Sequence, residues 1–385
     1  MTSKRMPRSW LTRAVLGTTY VSRLALATAP NVPIHRPDYD PPAAVPAPAA
    51  ATAPVAAALS AGTRVARPSY NTGTGFFVVG DQVYDANGNP FRIRGVNTSH
   101  FWGGDTRPSI PSLATAGVNT ARAVFGPGPG TGAPTPDARE AIVRQYIAQG
   151  IVPMVDYHNA TCQEDPALVD AAVDFWTGPD RAWLTSLDRY VMLNITNEWG
   201  PNSAVWGETY KRAVVRLRAA GIKNLLVIDA GGACGQNAES VENFAREVVD
   251  ADPEKNVVFS VHMYGFWQDA GSPKAGTWDG RQPYDMDQEL TRLKATGAPI
   301  IVGEFSWQGF SDVTYGTRAA LASYEKHGIG WLAWMWHNPG GDGRVNIVNG
   351  STYGSSADLT EFGRLVVEDP ELGLRANARK ATIFE

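Results

Sequence analysis

Two glutamates each close an apolar, strand-like run of this 385-residue chain. Glu198 ends the run YVMLNITNE, which starts at residue 190, and Glu304 ends the run IIVGE, which starts at residue 300. Burying a carboxylate among aliphatic side chains is costly unless a partner compensates for the lost hydration. Two carboxylates at one place, one protonated and one ionised, are what cleavage of a glycosidic bond requires. The sequence therefore predicts a hydrolytic site built on this pair.

The overall composition limits the partners. The chain is 43% hydrophobic and 19% charged, which permits one large core, and its net charge is −4. Nucleic acids and anionic membranes both demand a basic surface, so neither is expected as a partner. The twelve tryptophans exceed ordinary usage, and sugar-binding clefts place flat rings against pyranose rings. We expect a monomer that binds a polysaccharide, with most of the tryptophans in the core.

The N-terminal part of the chain predicts export. Residues 1–30 combine a basic start with a short apolar stretch, as a secretion signal does, and residues 31–72 form a linker rich in Pro and Ala. No apolar run is long enough to cross a bilayer. The catalytic domain is predicted over residues 73–370, followed by a C-terminal tail at 371–385. We therefore expect a secreted, extracellular protein.

Strand-like and helix-like segments alternate after a short hairpin at 76–84. Runs that are apolar throughout are typical of parallel strands covered on both faces. Eight of them predict an α/β fold, a closed (β/α)8 TIM barrel. A doubly wound open sheet is the alternative, but it should carry a Gly-rich phosphate-binding turn after the first strand, which is lacking here. The predicted strands are 91–97, 119–125, 151–158, 191–198, 225–229, 256–262, 300–304 and 330–336; the predicted helices are 137–149, 205–219, 240–249, 317–327 and 359–367.

Polar side chains are expected at the carboxyl ends of these strands. In a TIM barrel this end is the catalytic mouth. A single histidine there is often a satisfied core residue, but an inert barrel has no reason to collect the whole set. The set is Arg122, His158, Asn197, Glu198, His262, Tyr264, Glu304 and Trp336.

The two cysteines, Cys162 and Cys234, each follow a predicted strand. In a barrel both loops lie on the same face, so a disulfide is geometrically possible in an exported protein. The alternative is a pair of unpaired thiols.

Seven segments, one for nearly every predicted strand, form an ordered set: Ile93-Arg-Gly-Val-Asn97, Thr115-Ala-Gly-Val-Asn-Thr-Ala-Arg122, Val155-Asp-Tyr-His158, Asn194-Ile-Thr-Asn197-Glu198-Trp199, Asp252 to Tyr264, Val302-Gly-Glu304-Phe305 and Gly330-Trp-Leu-Ala-Trp-Met-Trp336. Together they resemble glycoside hydrolase family 5 of clan A, and within it the bacterial endo-β-1,4-mannanases. In this order the segments are highly specific, and the resemblance extends from about residue 75 to 367.

The resemblance implies roles for the matching residues. Glu198 would be the general acid/base and Glu304 the nucleophile of a retaining enzyme, with the two carboxyl groups about 5–5.5 Å apart. Arg122 would keep Glu304 ionised, and Tyr264 would orient it by a hydrogen bond.

The same resemblance implies that the substrate is held by other matching residues. Asn197 would bind the sugar 2-hydroxyl, His158 and His262 would frame the cleavage site, and Trp336 would be the floor under the sugar. Candidates for further stacking on sugar rings are Trp102, Trp199, Trp267 and Trp307.

Three functions remain open at the level of sequence: a β-1,4-mannanase, a β-1,4-glucanase or other β-glycosidase with the same carboxylates, and a binding barrel without catalysis. Loops such as Gly265-Phe-Trp267 and Ser306-Trp-Gln308 depart from the mannanase pattern, and loops decide between mannose and glucose. No cofactor is expected. No metal is expected either, because close ligand pairs such as His-x-His on one strand are absent.

Overall fold

The computed structural model describes residues 63–101, 106–126, 133–264, 267, 285–306, 313–338 and 345–385. Its first elements are the antiparallel strands β1 (Phe77–Val79) and β2 (Gln82–Tyr84). Gly80 stands in the turn between them with φ of +62°, a left-handed conformation that glycine adopts without a steric penalty. The predicted hairpin is therefore present.

Eight parallel strands close into a barrel, in which each strand pairs with the next one along the chain and the last pairs with the first. Every residue of these strands is buried, because helices cover the outside and packed side chains fill the inside. The TIM-barrel prediction is confirmed. The strands are β3 (Arg94–Ser99), β4 (Thr120–Phe125), β5 (Val152–Tyr157), β6 (Met192–Asn194), β7 (Leu226–Asp229), β8 (Val257–Met263), β9 (Ile300–Phe305) and β10 (Gly330–Ala333).

Helices connect the strands on the outside of the barrel. In the described residues, five helices are added to the five that the sequence predicts: Ile110–Thr115, Pro166–Thr177, Arg181–Ser186, Met286–Ala295 and Leu374–Asn377. Within the described part of the chain, none of them combines the length and the apolar character needed to cross a bilayer. The helices are α1 (Ile110–Thr115), α2 (Pro136–Ala148), α3 (Pro166–Thr177), α4 (Arg181–Ser186), α5 (Ala204–Ala219), α6 (Glu239–Ala251), α7 (Met286–Ala295), α8 (Val313–His327), α9 (Glu361–Glu368) and α10 (Leu374–Asn377).

The inside of the barrel has an apolar lower layer and a polar upper layer. Side chains alternate along each strand between the barrel interior and the helices. The apolar interior residues form one buried cluster with the hairpin, and this cluster includes Val152, Met154, Met192, Val227, Val258, Ile301 and Leu332. Two positions further along, the same alternation presents polar side chains: Asp156 follows Met154, Asn194 follows Met192, and Asp229 follows Val227. The polar layer lies at the carboxyl ends of the strands, where the site was expected.

Both ends of the described chain pack on the amino ends of the strands. Thr382 donates its N–H and its hydroxyl to Oδ2 of Asp85, at 2.8 and 2.6 Å. The Thr72 hydroxyl donates to Oε1 of Glu254 at 2.7 Å. Residues 63–72 and 371–385 therefore belong to the barrel domain, and the predicted boundaries at 73 and 370 are corrected outwards.

Candidate active site

Glu304 lies inside the upper end of β9, where it is only 3% exposed. Its Oε1 accepts a hydrogen bond from Nη1 of Arg122 at 2.6 Å, and its Oε2 accepts one from the Tyr264 hydroxyl at 2.9 Å. A carboxylate with a charged donor on one oxygen and a neutral donor on the other is fixed in orientation. The site therefore holds Glu304 as an oriented carboxylate.

Glu198 lies in the segment that follows β6, and its backbone has φ of +47°. The backbone N–H of Glu198 donates to Oδ2 of Asp229 at 3.1 Å, which holds this unusual conformation. The side-chain Oε1 lies 2.8 Å from Nδ1 of His262. Burial raises the pKa of Glu198, and the charge of Glu304 adds to this, while the hydrogen bond and charge of His262 act in the opposite direction. A carboxyl group whose pKa is raised in this way is suited to donate a proton.

The two carboxyl groups face one another across a short gap. One side-chain oxygen of Glu198, one of Glu304 and a ring nitrogen of His262 all lie within 4.8 Å of one another. The His262 Nδ1 atom is also 3.6 Å from Oε2 of Glu304. This separation matches a pair in which one carboxylate attacks a sugar directly, and it is too short for a water molecule to be activated between them.

Arg122 connects the nucleophile candidate to the rest of the polar layer. It is the third of the six residues of β4, so it lies inside the barrel and not at a strand end as predicted. Burial opposes its charge, yet the carboxylates of Asp156, Glu304 and Asp229 raise the pKa of Arg122. The guanidinium also donates to the side-chain oxygens of three asparagines, Asn97 at 3.1 Å, Asn194 at 2.8 Å and Asn197 at 2.6 Å.

Asp229 is a buried site residue that sequence reasoning missed. Burial alone would raise its pKa, but the charge and hydrogen bond of His262, the charge of Arg122 and the Glu198 N–H lower it to about 2. The same pairing acts on the histidine: burial lowers the pKa of His262, but Glu304 and Asp229 raise it well above its usual range. Asp156, Asn194 and Asn97 were missed as well. Their signal was positional, since each points into the barrel two residues after another interior position: Met154, Met192 and Gly95.

Asn197, which accepts a hydrogen bond from Arg122, lies beside His158. The Nδ2 atom of Asn197 donates to the Thr161 hydroxyl at 2.9 Å and lies 3.2 Å from Nε2 of His158. The His158 Nδ1 atom is 2.8 Å from Oδ2 of Asp156. The structure therefore brings together seven of the eight residues of the predicted set: Arg122, His158, Asn197, Glu198, His262, Tyr264 and Glu304.

The predicted aromatic floor is wrong. Trp336 is only 1% exposed, belongs to the main hydrophobic core and donates its indole N–H to the Ser351 carbonyl. Strand β10 ends at Ala333, and Trp334, which continues the interior alternation from Leu332, is only partly buried. Its ring stacks on the His158 ring, with centroids 5.7 Å apart and planes 16° from parallel. Trp334 is the residue that reasoning from sequence should have chosen.

The other predicted stacking tryptophans are either buried or outside the described residues. Trp199 is fully buried and donates its indole N–H to the Asp165 carbonyl at 2.8 Å. Trp267 is 4% exposed and donates to the Gln236 carbonyl at 2.8 Å. The predicted stacking role of Trp199 and Trp267 is therefore wrong, and both are packing residues. Trp102 and Trp307 lie outside the described residues.

Cys162 and Cys234 are joined by a disulfide, with their Cα atoms 4.4 Å apart. The bridge lies beside the acid candidate, because Cys162 Sγ is 4.0 Å from Oε2 of Glu198. These three residues, and separately Glu198 with His262 and Glu304, are close enough to share a metal ion. A disulfide sulfur is not a thiolate ligand, however, and Arg122 already neutralises Glu304 at 2.6 Å. The residues fit proton transfer better than cation binding.

Comparison with known proteins identifies the fold and the chemistry together. The profile of the cellulase family (glycosyl hydrolase family 5) matches residues 84–340. A mannan endo-1,4-beta-mannosidase from Salipaludibacillus agaradhaerens is 32% identical over 80% of this chain and 96% of its own length. One from Cellvibrio japonicus is 30% identical over 80% of this chain and 69% of its own. The solved structure of a beta-mannanase from Streptomyces thermolilacinus with mannohexaose superposes with a TM-score of 0.70, at 28% identity over 81% of this chain and 98% of that chain.

Proposed function

This chain belongs to glycosyl hydrolase family 5, and we propose that it is a retaining endo-β-1,4-mannanase that cleaves mannan-type polysaccharides by double displacement. The observation that carries the proposal is the pair Glu198 and Glu304. Their side-chain oxygens lie within 4.8 Å in opposite environments, one buried against His262 and the other beside Arg122.

In the first step, Glu304 attacks the anomeric carbon while Glu198 protonates the departing glycosidic oxygen. Arg122 and Tyr264 aim the Glu304 oxygens, because each of them donates to a different one. The raised pKa of Glu198 keeps a proton available to the leaving sugar, which departs as an alcohol. The product is a glycosyl ester on Glu304 and a released chain end.

In the second step, water replaces the leaving sugar and Glu198 acts as the base. Glu198 has given its proton to the leaving sugar and stays ionised, because the Glu304 charge, which raises the pKa of Glu198, is consumed in the ester. Attack of the activated water on the anomeric carbon restores Glu304 and gives a product of unchanged configuration. No cofactor is needed for either step.

The substrate preference rests on the relatives and on the groups around the sugar. The relatives named above are mannan-degrading enzymes, and one structure contains mannohexaose. Mannose and glucose differ at the 2-hydroxyl, and we propose that Asn197 and His158 meet this group, with Trp334 beneath the ring. A β-1,4-glucanase that uses the same carboxylates remains the second candidate, since the family profile is that of cellulases.

Several further properties follow as proposals. The basic and apolar residues 1–30 support secretion, and the Pro- and Ala-rich residues that follow support a linker before the barrel. The net charge of −4 supports a polysaccharide as the partner over a nucleic acid or a membrane. We also propose that the protein acts as a monomer, because the barrel carries both carboxylates on one chain.

Reducing-sugar release from locust bean gum mannan and from carboxymethylcellulose tests the function. Wild type should act on mannan and release short oligosaccharides, as chromatography of the products would show, and Glu304→Ala should release none. Activity on carboxymethylcellulose alone would replace the substrate and keep the mechanism. Polysaccharide binding without any release by wild type would indicate a non-catalytic binding barrel.

A further inference from the structure

The disulfide spans the acid/base segment from two sides. Cys162 belongs to the loop after β5, Cys234 to the loop after β7, and Glu198 to the intervening segment after β6. The bridge therefore joins two catalytic-face loops across the residue that we propose as the proton donor.

On one side, Cys162 contacts Glu198 through both backbone and side chain. The Cys162 N–H donates to the Glu198 carbonyl at 3.3 Å, and its sulfur lies 4.0 Å from Oε2 of the carboxyl. The neighbouring Gly200 N–H donates to the Gln163 carbonyl at 2.9 Å. The loop after β5 thus holds the backbone of Glu198 and lies against its carboxyl group.

On the other side, the residue after Cys234 packs on the same carboxyl group and on its histidine. A Cβ atom on Gly235 would lie 3.0 Å from Cγ of Glu198 and 3.4 Å from the His262 ring, and Gly235 has φ of +74°. The His262 N–H donates to the Gly235 carbonyl at 3.0 Å. The loop after β7 therefore sets the position of both partners in the Glu198–His262 hydrogen bond.

The backbone at this place is unusual for residues other than glycine. Cys162, Glu198, Ala233 and Cys234 have φ values of +59°, +47°, +45° and +56°, and Lys255 is the only other such residue in the described part of the chain. Left-handed conformations of this kind persist only where the surroundings impose them. Four of them around one carboxyl group indicate that the cross-link and its loops hold Glu198 in place.

We propose that the Cys162–Cys234 disulfide is a positioning element for proton donation by Glu198, and this inference rests on the function proposed above. The bridge fixes the carboxyl group between the two loops, with its proton directed at the leaving oxygen. Without the bridge, Glu198 keeps its chemistry and loses its alignment. The first step then slows for a sugar leaving group, which needs a proton, and not for a dinitrophenolate, which departs without one.

The test compares Cys162→Ala/Cys234→Ala with wild type on two substrates, mannohexaose and 2,4-dinitrophenyl β-mannobioside. The readout is kcat/KM, because it reports the first chemical step for both. We expect kcat/KM on mannohexaose to fall about tenfold or more and on the dinitrophenyl substrate to change less than about twofold. Wild type treated with tris(2-carboxyethyl)phosphine should show the same split, since Cys162 is exposed to the reductant, and reoxidation should reverse it.

Arg218→Met is the matched control, because it breaks the buried Arg218–Asp252 ion pair far from the disulfide and lowers stability without touching the site. An equal loss on both substrates, or a lower Tm with no change on either, would show that the bridge only stabilises the fold and would overturn the proposal. If wild type cleaves cellohexaose in place of mannohexaose, the proposed substrate fails, and the same split is measured with the cellobioside. If wild type cleaves the dinitrophenyl substrate and neither hexaose, both proposals are overturned.

Discussion

The two ends of the barrel use buried charges in opposite ways. At the amino ends of the strands, Asp252 is fully satisfied: both of its oxygens accept from Arg218 at 2.9 Å, and the N–H groups of Glu254 and Asn256 also donate to it. At the carboxyl ends, the single guanidinium of Arg122 is shared among three carboxylates.

This difference separates stability from chemistry. Burial opposes the charge of Asp252, yet Arg218 and the backbone donors lower its pKa, so this carboxylate holds no proton at working pH. At the mouth, burial raises the pKa of Glu198 and the charge of Glu304 adds to this, while His262 lowers it. A carboxylate whose two oxygens both accept several hydrogen bonds stabilises the fold. A buried carboxyl group with few donors can instead exchange a proton with a substrate.

The largest expected effect comes from removing the arginine at either end. Arg122→Met and Arg218→Met should each cost about 3–5 kcal/mol of unfolding free energy, because each leaves buried carboxylates without their cation. Only Arg122→Met should also lower kcat/KM, by about a hundredfold or more, through the loss of charge-assisted hydrogen bonds to the site. Urea denaturation and steady-state kinetics measure the two quantities. Equal activity loss in both variants would contradict the claim that only the carboxyl ends of the strands use their buried charges for catalysis.

The pH dependence of stability gives a second test of the Arg218–Asp252 ion pair. The pKa of Asp252 is lower in the folded state than in the unfolded chain, where an aspartate has a pKa of about 3.9. Its stabilising contribution is therefore complete above that pH and is lost as the pH falls through the folded pKa. The stability difference between wild type and Arg218→Met should shrink on acidification below about pH 4. A difference that stays constant down to pH 2 would contradict this assignment.

A smaller effect is expected at the nucleophile's second oxygen. Tyr264→Phe removes the hydroxyl that donates to Oε2 of Glu304 at 2.9 Å and leaves the Arg122 contact in place. A hydrogen bond to a charged group contributes about 1.5–3 kcal/mol, so kcat/KM should fall about tenfold or somewhat more. The change in Tm should be small. A variant with full activity would show that the hydroxyl does not orient Glu304.

The pH profile of activity tests whether His262 lowers the pKa of Glu198. Glu198 must be protonated in the first step, so kcat/KM falls as the pH rises through its pKa. The hydrogen bond and charge of His262 lower this pKa, while burial and Glu304 raise it. His262→Ala should therefore move the alkaline limb of the kcat/KM profile to higher pH, whatever the loss in rate. A shift to lower pH would mean that His262 does not act on Glu198 as the contact at 2.8 Å implies.

The smallest effect is expected at the amino ends of the strands. Thr382→Val removes the hydroxyl that donates to Asp85 at 2.6 Å and accepts from the side chains of Asn87 and Asn89. Loss of this neutral donor should cost about 1–2 kcal/mol of unfolding free energy. Thermal unfolding should show a lower Tm while kcat stays unchanged. A reduced kcat would show that the two ends of the barrel are coupled.

The strands were predictable because burial on both faces selects uninterrupted apolar runs, which a sequence shows directly. Helix α3 was missed although Asp165 caps it and Pro166 starts it, both of which are readable signals. The predicted ends of the domain were wrong because Thr382 and Thr72 belong to polar segments that are held by contacts with distant residues, Asp85 and Glu254. Sequence alone does not reveal such contacts.

At the site, most residues at the ends of apolar runs were predictable, whereas Asn97, Asp156 and Asn194 within the strands were not. Glu198, Glu304, His262 and Tyr264 stand out at the ends of strand-like segments. Asp229 closes such a run too, but its role depends on facing the barrel interior, where it accepts the Glu198 N–H. The choice of Trp336 over Trp334 failed for the same reason. Interior position follows from alternation counted within β10, and the strand stops before Trp336.

The most direct measurement is to trap the intermediate. A 2-deoxy-2-fluoro-β-mannobiosyl fluoride should inactivate the enzyme. The 2-fluorine slows both steps, but the fluoride leaving group departs without a proton and keeps the first step fast enough for the intermediate to accumulate. Mass spectrometry of the intact protein and its peptides then locates the sugar. We expect one added 2-deoxy-2-fluoro-mannobiosyl group, esterified to Glu304, on an enzyme that regains activity as the ester hydrolyses. A sugar attached to Glu198, or inverted products with no adduct, would contradict the assigned roles of the two glutamates.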